Sequence, residues 1–314
     1  MVIDLETTEI QKSSCSRMDM LNGPVWNKII RYALPVAATG VLEQLFNASD
    51  IAIVGNFAGD VKTIAVAAIG ATSPIIGLLL YFFIGIALGS NVVIATAIGR
   101  KDEATVHKAV HTSIIMSIAG GLLVTIFGEI FIGNLLHALN VPEDVLPYAL
   151  LYIRIYLLGM PAILLYNFEA AIFRSIGETK MPLKALAMSG VLNVLLNLFF
   201  VIVLDMTVNG VAIATVIANV VSSTLLLIRL IRSDQVIRIK RQELRFSSRI
   251  FRDIIKIGLP AGIQSAVFSV ANIIIQSAIN SLGTLVIAAS SAAFNIEILA
   301  YYVMNAFSQA CTTF

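Results

Sequence analysis

The sequence predicts an all-α polytopic membrane protein with about eight transmembrane helices, on three observations. Of its 314 residues, 58% are hydrophobic and 13% charged, with a mean hydropathy of +0.90; a soluble domain carries about 25% charged residues. Apolar runs recur at the length a helix needs to cross a bilayer, about 20 residues. Lys and Arg gather on alternate connections, which gives the runs one consistent orientation. The net charge of +2 includes no basic block of the kind that binds nucleic acid, and two distant cysteines, Cys15 and Cys311, supply no disulfide framework.

Residues 1–20 are polar and lack the apolar core of a signal peptide, so they read as a cytosolic tail. Eight apolar spans follow, at about 29–55, 63–99, 111–136, 147–173, 183–204, 208–228, 254–279 and 285–314. The second has no charged residue over 37 positions. At about 1.5 Å per residue it exceeds a bilayer core, so it must tilt, kink near Pro74 or project beyond the lipid. Gly85, Ala87 and Gly89 allow a neighbouring helix to approach it closely. With the N-terminus inside, 19 of the 21 basic residues fall on the inner side and only Lys62 and Arg154 lie towards the outer one. The outer turns carry Asp60, Glu143, Asp144 and Asp205 instead. The expected location is therefore the cell membrane, multi-pass, with the N-terminus inside.

The stretch 232–249 is basic and polar and reads as an inside-anchoring linker rather than a lipid-headgroup site. A repeat follows it. IIRYALP at 29–35 returns as IIKIGLP at 254–260, an offset of 225 at which Asn47 also recurs as Asn272. Six spans separate the copies, so both enter the membrane in the same direction and the repeat is parallel. The expected plan is a six-helix lobe at 21–231 and a second lobe of which 250–314 supplies the first two helices. Twelve helices are then expected in all, and the chain reads as C-terminally incomplete.

The first span holds Glu43 and Asp50, with Gln44, Asn47 and Ser49 beside them. A carboxylate in the hydrocarbon region costs about 2.5 kcal/mol or more and by default marks an ion or proton path. Asn47 and Asp50 are three apart and share a helix face, with Glu43 one turn before Asn47. In the second copy Asp50 is replaced by Ile275 and Glu43 by Phe268, so the duplicated helix keeps its backbone signals and loses its acids. Asp50 is thus the leading candidate for a coupling-ion or proton site. Glu43 and Glu297 are further membrane acids that suit a coupling or cationic-substrate role. Arg154 is expected to snorkel or to pair with an acid, Glu129 to sit at the outer edge, and Glu169, one turn from Arg174, to belong to the inner interface. His107 and His111 have metal-binding i, i+4 spacing but lack the Glu of H-E-x-x-H and any further ligand cluster. No phosphate loop and no catalytic set is present, so no enzyme is expected.

Three segments carry a resemblance. NGPVWNKIIRYALPVAATGVLEQLFNASDIAIVGNFAG at 22–59 resembles the first helix of the MATE (multidrug and toxic compound extrusion) transporters, on their bacterial NorM/DinF-like side. FRSIGETKMP at 173–182 is similar to that family's R-x-x-G-D-T-x-x-P loop, with Glu178 for Asp. VLNVLLNLFFVI at 191–202, leading to NGVAIATVIA at 209–218, resembles its N-x-x-x-D followed by G-x-x-x-A-T. The resemblance implies a MATE-type fold and an antiporter that exports drugs or other amphiphilic or cationic compounds in exchange for H⁺ or Na⁺. It also implies a cation site formed by Asp50, Asn193 and Asn197, with Asn47 nearby and Thr215 from the sixth span. Two departures matter: Phe46 stands where relatives often have Tyr, and Asn197 where the pattern has Asp. The site then has one carboxylate, and ligand count does not separate H⁺ from Na⁺. No cofactor and no nucleic-acid partner is expected. The chain is expected to act as a monomer whose partners are its small-molecule substrate and the bilayer. Two rivals remain at this stage. A lipid-linked saccharide flippase of the same superfamily would show several cations on cavity helices, where only Arg154 qualifies. A non-transporting scaffold or receptor would be indifferent to Asp50→Asn.

Overall fold

A computed structural model describes residues 24–139, 141–239, 245–280 and 284–314. The expected tail at 1–20 and residues 240–244 of the expected linker lie outside these. Among the described residues nine α-helices follow one another: α1 Val25–Phe57, α2 Lys62–Gly99, α3 Glu103–Ala138, α4 Leu146–Leu158, α5 Met160–Ser175, α6 Lys180–Leu198, α7 Val208–Ile231, α8 Ser248–Asn280 and α9 Thr284–Thr313. Each expected span falls on one of them except the fourth. That span is broken into α4 and α5, bent by 51°. The cause is local: Pro161 cannot donate a backbone hydrogen bond and its ring crowds the preceding turn, so the helix stops at Gly159 and restarts at Met160. Pro74, by contrast, lies within an uninterrupted 38-residue α2.

Among the described residues five helices are long and apolar enough to cross a membrane, or six with α4 and α5 taken as one. The 33-residue α1 is not among them, because Glu43, Gln44, Asn47, Ser49 and Asp50 dilute its apolar run. The outward faces are themselves apolar. On α3, Leu122, Leu123, Ile126, Phe127, Ile130 and Phe131 are all exposed, a patch that water would not tolerate and lipid does.

The helices pack through small residues. Gly85 and Gly89 of α2 meet Gly258 and Gly262 of α8 with their backbones in contact, and a Cβ at any of the four would overlap the other helix. This is the close approach the sequence led us to expect of Gly85 and Gly89, made without any hydrophobic drive between helices in lipid. Helix α9 packs on α1, where Tyr32, Ala33, Val36, Ala306 and Ala310 form a small buried cluster. At the basic end a polar chain links the two: Tyr32 OH lies 2.9 Å from Thr313 Oγ1, which donates to Asn91 Oδ1 on α2 at 3.0 Å. Asn91 Nδ2 in turn donates to the Ala171 carbonyl of α5 at 3.2 Å. Between α5 and α6 the chain turns at Gly177, whose φ of +76° is one that glycine adopts without strain.

Candidate functional site

Three helices converge on Asp50. It sits in the second half of α1 and is 5% exposed. Asn193 and Asn197 are i, i+4 on α6 and so present one face, while Thr215 comes from α7. Asn197 Nδ2 donates to Asp50 Oδ1 at 2.5 Å and to Asn193 Oδ1 at 3.2 Å. Asn193 Nδ2 donates to Thr215 Oγ1 at 3.3 Å, and that hydroxyl donates to Asp50 Oδ2 at 3.2 Å. The four side chains close a ring with one donor on each carboxylate oxygen. Asn197 Oδ1 is left buried with no hydrogen-bond partner. An unpaired buried acceptor is costly, and this one belongs to the amide whose nitrogen holds Asp50 Oδ1.

Two backbone features permit this convergence. A Cβ at Gly190 of α6 would overlap the Phe46 ring, so the glycine lets α1 lie against α6. Directly after Asn197 the helix widens into a π turn, Phe199–Val203, with Leu204 N bonded to Phe199 O. Such turns are rare and often occur at functional sites. Nothing in the run NLFFVIVLD announces it.

Asp50 lines a cavity of about 140 Å³ together with Glu43, Asn47, Tyr156, Tyr166 and Asn219. Asn47 therefore shares the cavity, but the ring of hydrogen bonds around Asp50 does not include it. Glu43, two turns before Asp50, is half-buried at the cavity wall. Glu297 is exposed on α9 and lines neither this cavity nor the larger one beside it.

Two expectations are corrected, for Glu169 and for the cation of the cavity helices. Glu169 is not an interface residue: it is 0% exposed, and neither carboxyl oxygen has a hydrogen-bond partner. Five residues from Arg174, it points about 140° away from it around the helix, into the packed side of α5. Arg154 pairs with an acid as expected, its Nε 3.6 Å from Glu129 Oε2, and lines neither cavity. The cavity cation is Arg174, which the sequence reading missed. It lines a cavity of about 320 Å³ between α2, α5, α8 and α9. The signal was present in the spacing of Asn167, Ala171 and Arg174, which repeat at i, i+4, i+7 and so form one stripe.

With the geometry in hand, the comparison with known proteins is decisive for the family. The MatE family model matches residues 35–199. The chain belongs to the MatE family. It is 28% identical over 269 residues to the probable multidrug resistance protein YoeA of Bacillus subtilis, covering 83% of this chain and 57% of that protein. It is 24% identical over 272 residues to the multidrug export protein MepA of Staphylococcus saprophyticus, covering 87% and 60%. A crystal structure of MATE in the bent conformation superposes with a TM-score of 0.85 at 25% identity, covering 93% of this chain and 64% of that one. The chain thus spans about three-fifths of the length of these relatives, and the MATE-type fold and the multi-pass membrane architecture follow.

Proposed function

We propose that the chain works as a cation-coupled antiporter, exchanging H⁺ or Na⁺ for amphiphilic or cationic organic compounds by alternating access. It would do so as a monomer in the cell membrane, with its N-terminus inside. The observation that carries this reading is the ring around Asp50, in which one carboxylate is held by three neutral side chains within an apolar helix bundle. It is drawn in by neutral oxygen-bearing side chains beside an acceptor, Asn197 Oδ1, that lacks a partner. A bare charge in this setting is expensive. A proton on the carboxylate removes that charge, and a sodium ion compensates it through the hard oxygen ligands that such cations prefer.

The chemistry required is modest. A group whose charge changes with occupancy alters the balance between two conformations. If the cation stabilises one conformation and the organic compound the other, each lowers the affinity for its counterpart by the same factor. The cavity wall beside Asp50 supplies Glu43, a carboxylate for a cationic substrate, and the rings of Tyr156 and Tyr166 for its apolar body. The names of the relatives, multidrug resistance and multidrug export proteins, support substrates of this kind.

The test uses everted vesicles carrying the 314-residue chain and a fluorescent cationic dye. Dye movement is expected to dissipate a proton or sodium gradient, and Asp50→Asn to abolish that coupling. Coupling that survives Asp50→Asn overturns the reading. Repeating the measurement with each ion alone assigns the coupling species.

A further inference from the structure

The two cavities adjoin, because Ile84 and Asn167 line both. Their polarities are opposite. The smaller is lined by two acids, Glu43 and Asp50, and no base. The larger is lined by one base, Arg174, and no acid. Its other polar groups are neutral amides and hydroxyls, among them Gln264, Asn305 and Gln309. From this juxtaposition we infer that the larger cavity is a subsite for an anionic group, a carboxylate or phosphate. Its substrate is a bipolar amphiphile whose cationic end meets Glu43.

The guanidinium supports this assignment. Arg174 is half-buried in the last turn of α5 and donates one hydrogen bond, from Nη1 to Gln309 Oε1 at 3.3 Å. Among the described residues no carboxylate lies within ion-pair distance of it. A guanidinium carries five N–H donors in a planar fork that matches carboxylate and phosphate oxygens two at a time. Arg174 feels the charge of Glu43 in the adjoining cavity but, among the described residues, pairs directly with no acid, and a bound anion supplies that direct partner. Asp50 does not serve, since it lines only the smaller cavity and Arg174 only the larger. On the other wall Phe268 and Tyr301 stack at 5.7 Å with an interplanar angle of 6°. Both line the cavity and present a flat surface to an aromatic body. The larger cavity alone reaches the lower end of the range of about 300–1,000 Å³ found for sites that take drug-sized molecules.

The inference rests on the transport reading above, and the test separates the two. The purified 314-residue chain is titrated, by fluorescence polarisation, with two dyes of one scaffold: tetramethylrhodamine methyl ester, a cation, and the free acid, which adds a carboxylate. The free acid is expected to bind about tenfold tighter, the worth of one charge-assisted hydrogen-bonded pair. Arg174→Gln is expected to erase that advantage while leaving ester binding unchanged, and Glu43→Gln to weaken both dyes. Ester binding serves as the check that the variant is folded. Should Arg174→Gln not fold, the preference of the unaltered chain between the two dyes still decides. Equal binding of both dyes by the unaltered chain overturns the anionic subsite and leaves the transport reading standing. Arg174→Gln weakening both dyes alike also overturns it and assigns Arg174 to packing. Binding of neither dye overturns both readings.

Discussion

The two cavities differ in construction as much as in charge. Around Asp50 four polar side chains from three helices satisfy one another at hydrogen-bond distance, and the space left is about 140 Å³. Around Arg174 the walls mix apolar side chains with amides, hydroxyls and two tyrosines, of which Gln309 links Arg174 to Asn305, and the space is about 320 Å³. A tight, preorganised cluster suits a small ion of fixed size. A roomy cavity with few fixed polar groups suits an organic molecule whose shape varies. The backbone supports follow the same division. Gly190 closes the first region by admitting Phe46, and the glycines of α2 and α8 draw together two of the helices that wall the second.

That division can be broken from either side, and the largest effects are expected there. Gly85→Val forces apart α2 and α8, and Gly190→Val forces α6 off Phe46. Each is an overpacking change of about 3 kcal/mol, visible as a fall in thermal unfolding temperature in detergent. The functional losses should separate. Gly190→Val should remove ion coupling, whereas Gly85→Val should weaken dye binding first and leave the Asp50 ring assembled. Equal loss of both properties in both variants would mean that the two cavities are one unit.

A smaller effect of opposite sign is expected at Glu169, which belongs to neither cavity. Its carboxyl is buried without a partner, a burden of about 1–2 kcal/mol. Glu169→Met, of similar volume, should raise stability by that amount in a thermal melt and leave dye binding unchanged. A loss of stability would mean that the carboxyl has a partner in the membrane. The smallest effect is expected at Asp102, outside the membrane. Its carboxyl caps α3, accepting from Thr105 N at 3.0 Å and from the Thr105 hydroxyl at 2.6 Å, and these bonds hold its pKa below the usual carboxylate range. A lowered folded-state pKa contributes stability above the unfolded value, about 4, and that contribution fades as pH falls through the folded value. Asp102→Ala should therefore cost a little stability at neutral pH, and the difference from the parent should vanish in acid. A gap that persists in acid would show that the cap works by shape rather than charge.

Much of this architecture was legible in the residues. Apolar length located the helices, and Gly85 and Gly89 announced a close contact whose partner only the fold identified. Asp50 stood out as an acid in an apolar run. Asn193, Asn197 and Thr215 did not, because an amide in a membrane helix is common and spacing along one helix says nothing of which other helix it will face. Only the family resemblance pointed to them. The break at Pro161 was visible as a residue and unread as a bend, since Pro74 in α2 shows that a proline need not end a helix. Glu169 and Arg174 were misjudged together for one reason. Proximity along the chain was taken for proximity in space, when five residues on a helix turn two side chains to different sides.

Helix α1 is fastened at two places, 18 residues apart along a rod of about 1.5 Å per residue. Near its start, Tyr32 meets Thr313 of the last helix; further along, Asp50 meets Asn197. Between them the contact of Phe46 with Gly190 packs the same helix against α6. Loosening the grip at Asp50 would leave the tie to Thr313 as a remaining polar fastening of that helix.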